Sequence, residues 1–264
     1  MLDFTPDIIA LTLLSGAIIG VFLGAFGGGG SVLAAPLLIY LVGVTDPHTA
    51  IGTSAAGVAA IAVFSLIGHW RGGRVKWPCA TVFAISGLLG SLLGSTLAKH
   101  TNGDLLLLGF SGAMALIALS MFRKPKTAGD PEIHLTPKML LQLTPMGFVV
   151  GTAAGFFGIG GGFLIVPGLM FAVGMTLSNA TASSLVSVAI FGAATSANYA
   201  ASGLVDGRLT LLLLGGGIAG GIAGIFIAKR LTRHIELGRR IFAMLILSVA
   251  AFIAYNSTIT LLHT

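Results

Sequence analysis

Apolar residues come in long blocks along this chain. The blocks cover 7–26, 31–44, 48–67, 77–98 and 104–122, and then 139–157, 162–175, 178–200, 208–228 and 237–256. Eight of the ten are near the roughly 20 residues that carry a helix across a hydrocarbon core. Between the fifth and sixth blocks lies a polar stretch, Arg123 to Lys138, that contains Pro125, Asp130, Pro131 and Glu132. The pattern predicts an all-α integral membrane protein with a first membrane unit at 1–122, a linker at 123–138 and a second membrane unit at 139–264.

The two units share a register. A shift of 131 carries Gly16, Gly20, Gly24, Phe26, Gly27, Gly29, Gly30, Leu33 and Pro36 onto Gly147, Gly151, Gly155, Phe157, Gly158, Gly160, Gly161, Leu164 and Pro167. A shift of 130 then carries Ala50, Thr53 and Ser54 onto Ala180, Ser183 and Ser184, and Gly73 and Val75 onto Gly203 and Val205. The same shift carries Gly87, Gly90, Gly94, Ala98 and Lys99 onto Gly217, Gly220, Gly224, Ala228 and Lys229. Internal repeats of this kind are a common build of membrane transporters.

Basic residues then orient the chain. If every block crosses, twelve of the fourteen Lys and Arg fall on one side, leaving Lys99 and Arg208 on the other. If the short blocks 31–44 and 162–175 turn back instead, the split drops to eight against six. The positive-inside rule favours the first arrangement. Five crossings per unit make the repeats inverted, with both termini outside the cytoplasm. The expected location is a bacterial inner membrane, spanned many times.

Two glycine runs break the pattern: Gly27-Gly28-Gly29-Gly30-Ser31, and Gly158-Ile159-Gly160-Gly161-Gly162. Each precedes a 14-residue block, about 21 Å as a helix against a core of about 30 Å. Each bend is therefore expected partway into the bilayer, where bare backbone must be covered by protein or line a wet cavity. A helix that starts at such a bend offers unpaired N–H groups and its positive dipole end, and glycine admits close approach. Two such ends facing one another near the midplane would suit a carboxylate or an oxyanion. The candidate anion site is Gly28, Gly29, Gly30 and Ser31 with Gly160, Gly161 and Gly162, joined by the hydroxyls of Thr53, Ser54, Ser183 and Ser184. The glycines spaced by four at Gly16 to Gly24, Gly147 to Gly155, Gly90 to Gly94 and Gly220 to Gly224 are read as helix-packing positions. Asp46-Pro47 and Ser178 read as helix starts, and Asn198 and Tyr199 as membrane-interface residues, with a pore-lining place as the alternative.

Composition narrows the function further. Only 8% of residues are charged and 55% are hydrophobic, and mean hydropathy is +1.01, too little charge to cover a water-facing surface. The net charge of +6 resides in loops without interleaved aromatics, which reads as a topology signal and leaves no nucleic-acid partner. The acidic start of the chain, with Asp3 and Asp7, does not resemble a signal peptide, so the first block is expected to stay as a membrane helix. The lone Cys79 is expected to be a packing residue; no metal cluster, cofactor or catalytic set is expected. No Asp, Glu, Lys or Arg lies in the middle of any block, so a cation path or a side-chain proton relay lacks its usual residues. A neutral pocket of backbone donors favours a small anion.

At these residues the chain resembles the TauE/SafE family of sulfite exporters and related membrane proteins. The resemblance rests on Gly20-x3-Gly24-x-Phe26-Gly27-x-Gly29-Gly30 with Pro36, and on Gly151-x3-Gly155-x-Phe157-Gly158-x-Gly160-Gly161-Gly162 with Pro167. Ala50-Ile51-Gly52-Thr53-Ser54 and Ala180-Thr181-Ala182-Ser183-Ser184 add to it. It implies a transporter of sulfite, a sulfonate or a related sulfur anion, directed outward. Two alternatives stay open: a passive anion channel, and a non-transporting subunit that docks a partner through Lys229 to Arg240. The expected partners are the small anion and the lipid bilayer, and a homodimer is compatible with the sequence.

Overall fold

The computed structural model describes residues 5–122, 130, 133, 135–158, 162–231 and 235–263. Hydroxyl and carboxamide or carboxylate N-caps, several followed by proline, start most of the long helices, since these side chains satisfy orphan N–H groups that a helix cannot bond itself. Thr5-Pro6 opens α1, Pro6–Phe26. Asp46-Pro47 opens α3, Pro47–Arg71, and Asn102 opens α5, Gly103–Met121. Thr136-Pro137 opens α6, Pro137–Phe157. The start of α8, Leu177–Ala200, is capped by Thr176 and not by Ser178, because the Thr176 hydroxyl is the one that reaches the Asn179 N–H, at 3.3 Å. Burial alone would raise the Asp46 pKa, but hydrogen bonds from Thr49 and His48 outweigh it and hold the carboxyl below its usual range.

The remaining elements are α4, Trp77–Lys99; α7, Gly162–Val173; α9, Gly207–Leu231; and α10, Ile235–His263. Residues 27–42, here α2, depart from the helix expected over 31–44. The glycine run itself coils as a 3-10 helix, Gly27–Leu33, followed by one α turn, Ala34–Pro36, and a π segment, Leu37–Val42. Glycine is a poor α-former, so a run of four yields to local tertiary contacts. Seven helical stretches are long and apolar enough to cross a membrane among the described residues. One of them, Pro6–Val42, joins α1 to α2, and the left-handed Gly27 (φ 63°) divides it.

Close glycine contacts fix the helix directions. A β-carbon on Gly16, Gly20 or Gly24 of α1 would meet Leu213, Gly217 or Gly221 of α9, at 2.2 Å from the carbonyl oxygen in the first two cases. On α6, Gly147, Gly151 and Gly155 lie in the same way on Phe83, Gly87 and Ser91 of α4. Residue numbers rise together in both seams, so each pair is parallel. On α3, Gly57 faces Leu213, Ile61 faces Gly217 and Ser65 faces Gly221, so α3 also runs with α9. Because α1 and α3 run the same way, the chain between them must return, and α2 does so.

The central pair is α3 and α8, whose most apolar windows are 67% and 72% buried, against 33–44% for the other spans. Gly52 faces Tyr199 and Gly192 faces Ala55, so this pair is antiparallel. Among the described residues, all six glycines with positive φ fall into repeat-related pairs, Gly27 with Gly158, Gly43 with Gly174, and Gly73 with Gly203. One end of the bundle thus gathers the starts of α1, α3, α5 and α9 and the ends of α4, α6 and α8. Here Gly103 lies against Pro47, and the Lys99 ammonium donates to Asn198 and Ser202. The opposite end gathers Arg71, Arg74, Lys76, Lys138 and, on the linker, Asp130, whose N–H donates to Gly174 O at 2.9 Å. By chain position, eight of the ten Lys and Arg among the described residues fall at this second end, and Arg233 lies outside the described residues. Linker residues Arg123, Lys124 and Lys126 lie outside the described residues.

Candidate functional site

The two glycine breaks meet inside the bundle. A β-carbon on Gly162 would sit 1.8 Å from Gly28 O, and one on Gly28 would sit 2.3 Å from Gly162 Cα. Only hydrogen fits at either position. The Gly28 N–H donates to Ser184 Oγ at 3.1 Å, and Gly27 lies against the Thr181 carbonyl. Ser184 is seven residues into α8, about 10 Å from its start, so the contact lies well below the end of the helix. The second break rests on α3, with Gly158 (φ 67°) against Ile51. Gly27 through Ser31, Gly158 and Gly162 are all buried.

The hydrogen bonds around the breaks differ between the two halves. Breaking α1 at Gly27 leaves the Gly24 carbonyl without the N–H four residues on, because the Gly28 N–H goes to Ser184. The imidazole of His69 takes that place, donating from Nε2 to Gly24 O at 3.0 Å. In the second half the Gly155 carbonyl accepts from the Gly158 N–H instead, at 3.2 Å. A 3-10 helix pairs each N–H with the carbonyl three residues back, so Gly29 and Gly30 place their N–H groups within the coil of α2. Ser31 Oγ donates back to Gly28 O at 2.8 Å. At the start of α7, by contrast, the N–H groups of the first turn have no acceptor within their own helix. Gly160 and Gly161 lie outside the described residues.

The hydroxyls divide into two classes. Ser184 Oγ caps Gly28 while donating to Thr181 O at 2.8 Å, and Ser54 Oγ donates to Ile51 O at 3.0 Å. Thr53 and Ser183 point elsewhere. Thr53 Oγ1 accepts the Asp206 N–H at 2.9 Å, and Ser183 Oγ accepts the Lys76 N–H, also at 2.9 Å. These are matching bonds, each tying a helix of one half to the loop that precedes a helix of the other. Thr53 and Ser183 hold the loops at opposite ends of the bundle, and no described contact brings either hydroxyl to the breaks.

One residue differs from its sequence reading, and another was not singled out by it. Tyr199, expected at the membrane interface, is fully buried (0% exposed) and packs with Ile51 and Ala98. The repeat shift places it opposite His69, which is 1% exposed. Sequence reasoning missed His69 as the group that closes the first break, since its partner is 45 residues away. The bland reading of Cys79 agrees with its burial. Among the described residues no group of His, Cys, Asp and Glu could hold a metal. The Arg74 guanidinium, in the loop after α3, has its pKa drawn down by burial.

The family model for the sulfite exporter TauE/SafE matches residues 12–253. A Xylella fastidiosa (strain 9a5c) protein described as a probable membrane transporter is 44% identical over 96% of this chain and 97% of its own length. Bacillus subtilis YdhB, also described as a probable membrane transporter, is 26% identical over 82% of this chain and 87% of its own. Its relative YunE, with the same description, is 28% identical over 89% and 94%. No solved structure matches. With the model matched across all but the chain's two ends, and with glycine breaks, parallel glycine seams and seven membrane-length helical stretches in place, this chain belongs to the TauE/SafE family of membrane transporters.

Proposed function

We propose that this chain carries a small sulfur oxyanion or organosulfonate, sulfite-like in size and charge, across a bacterial inner membrane by alternating access. In this reading the halves are inverted repeats of five segments each, the basic end of the bundle faces the cytoplasm, and both termini face outward. The parallel seams, the antiparallel α3 and α8 and the paired left-handed glycines support that arrangement. The observation that carries the function is the contact of Gly28 with Gly162 within the bundle, in a region without an ionised side chain. A transporter of anions needs a positively polarised site that holds no fixed cation strongly enough to trap the substrate. Helix beginnings bared by glycine provide it. With the breaks in contact and Gly28 bonded to Ser184, the path is closed here. Anion binding then requires the breaks to part, which a rocking of one half against the other accomplishes. Gly28, Gly29, Gly30, Ser31, Gly160, Gly161, Gly162, Ser54 and Ser184 line this opening in the proposal, while Thr53 and Ser183 hold the loops that move with it.

The test is flux in proteoliposomes of the purified chain, comparing sulfite, sulfate, thiosulfate, sulfoacetate and a carboxylate. Saturable sulfur-oxyanion flux that a valine at Gly29 abolishes, in a protein that stays folded, is the expected result. Flux that never accumulates substrate against its gradient and runs far above transporter turnover would replace the transporter with a channel. No flux for any anion would leave the docking-subunit reading.

A further inference from the structure

Seven side chains among the described residues have a buried polar atom with no hydrogen-bond partner, and six of the seven lie on α3 and α8. They are His48 Nδ1, Ser65 Oγ and His69 Nδ1 on α3, and Ser187 Oγ, Thr195 Oγ1 and Tyr199 OH on α8. Such groups are rare in folded proteins because each forgoes its hydrogen bonds to water without replacement. Hydroxyls on membrane helices ordinarily bond back to their own backbone, as Ser54, Ser91, Ser95 and Ser184 do here. Their concentration on the two innermost helices calls for a partner that comes and goes.

Four of the six form a symmetric set. The shift of 130 that relates the halves carries Ser65 onto Thr195 and His69 onto Tyr199. In each pair the residues are four apart on one helix face. Since α3 and α8 are antiparallel, the pairs lie toward opposite ends of the bundle. Each lies beside one break: His69 holds the Gly24 carbonyl just before Gly27, and Tyr199 packs with Ile51, which touches Gly158. All four are essentially sealed, with exposures of 0%, 1%, 0% and 0% in chain order. His48, half-buried and with its ring 6.2 Å from that of Tyr199, leads from the second pair toward the bundle end.

Resting on the transport reading above, we propose that Ser65 with His69, and Thr195 with Tyr199, are two coordination stations for the transported oxyanion, one on either side of the glycine contact. Ser65, Thr195 and Tyr199 each offer an O–H donor. His69 offers the opposite. Its Nε2 must carry the hydrogen, since Gly24 O can only accept, so the neutral ring presents a bare lone pair at Nδ1. That lone pair repels a fully deprotonated oxyanion and accepts from one that keeps an O–H. The first station therefore selects a singly protonated monoanion, such as hydrogensulfite, over a dianion such as sulfate.

Ser65→Ala, Thr195→Val and Tyr199→Phe each remove a hydroxyl that bonds nothing in the closed state. Each is expected to lower sulfite flux in proteoliposomes by about tenfold or more, the value of one hydrogen bond to a charged group. The same three are expected to leave the unfolding temperature unchanged or raised, since an unsatisfied buried group is gone. Sulfate is expected to move at least about tenfold more slowly than sulfite through the wild type at the same pH. Wild-type flux in all three variants, a lowered unfolding temperature in them, or equal sulfate and sulfite rates would overturn the assignment. If the wild type moves no anion at all, the transport reading fails by itself. The stations are then judged by whether sulfite raises the unfolding temperature of the wild type and not of the variants; no rise in the wild type overturns them too.

Discussion

At the scale of single residues, the first break is closed by side chains far away in sequence. A helix interrupted within a bilayer must place every freed N–H and C=O, because no water is there to take them. Here His69 takes the carbonyl of Gly24 and Ser184 takes the N–H of Gly28. Ser184 is the better test, since it donates to Thr181 as well as accepting from Gly28. Ser184→Ala strands the Gly28 N–H and is expected to cost about 1–3 kcal/mol of stability, while Ser184→Thr keeps the hydroxyl and most of that. Thermal unfolding of the detergent-solubilised chain reads the difference. The glycines at Gly28 and Gly162 were legible as exceptional from the sequence, because runs of glycine are rare inside apolar blocks. Their contact with each other was not, since nothing local says which backbone a glycine is making room for.

At the scale of elements, the two parallel seams, α1 on α9 and α4 on α6, hold outer helices to one another. Helices in a lipid-like medium gain nothing from hiding apolar surface from one another, so close backbone approach and dispersion must supply the attraction. The seam glycines permit that approach. Gly20→Ala would put a methyl group 2.2 Å from Gly217 O and is expected to destabilise by about 1–3 kcal/mol. Gly112→Ala on α5 meets nothing within 4 Å and is expected to be neutral or stabilising. Parallel thermal melts check both. The four-residue glycine spacing announced these seams in the sequence. It could not name the partner helices, which are 8 elements apart in one seam and 2 in the other.

At the scale of the whole molecule, the exchange of α1 for α6, α3 for α8 and α4 for α9 maps the contacts of one half onto those of the other. The bonds from Thr53 to Asp206 and from Ser183 to Lys76 are the plainest instance. Labelling can check the membrane orientation proposed above. In a Cys79→Ala background, cysteines at His100 and Gly207 are expected to react with an impermeant thiol reagent in intact cells. Cysteines at Trp77 and Leu135 are expected to react only after permeabilisation. The reverse pattern would turn the molecule over, and reaction at all four in intact cells would remove the two-sided arrangement.

The sequence by itself determined that the chain lives in a membrane, where its helical blocks lie, which family it resembles and where the backbone would break. Those properties follow from hydropathy, from proline and hydroxyl caps and from glycine's missing side chain, all of which act over a few residues. Only the tertiary structure decided that the two breaks touch, that 27–42 coils as a 3-10 and π helix, and that Thr53 and Ser183 hold loops away from the breaks. It also placed Tyr199 in the interior, and left Ser65, His69, Thr195 and Tyr199 with unmatched polar atoms on the central helices. The reason is physical: a hydrogen bond or a steric contact between residues 45 or 156 positions apart depends on how helices pack, and packing has no local signature in the chain.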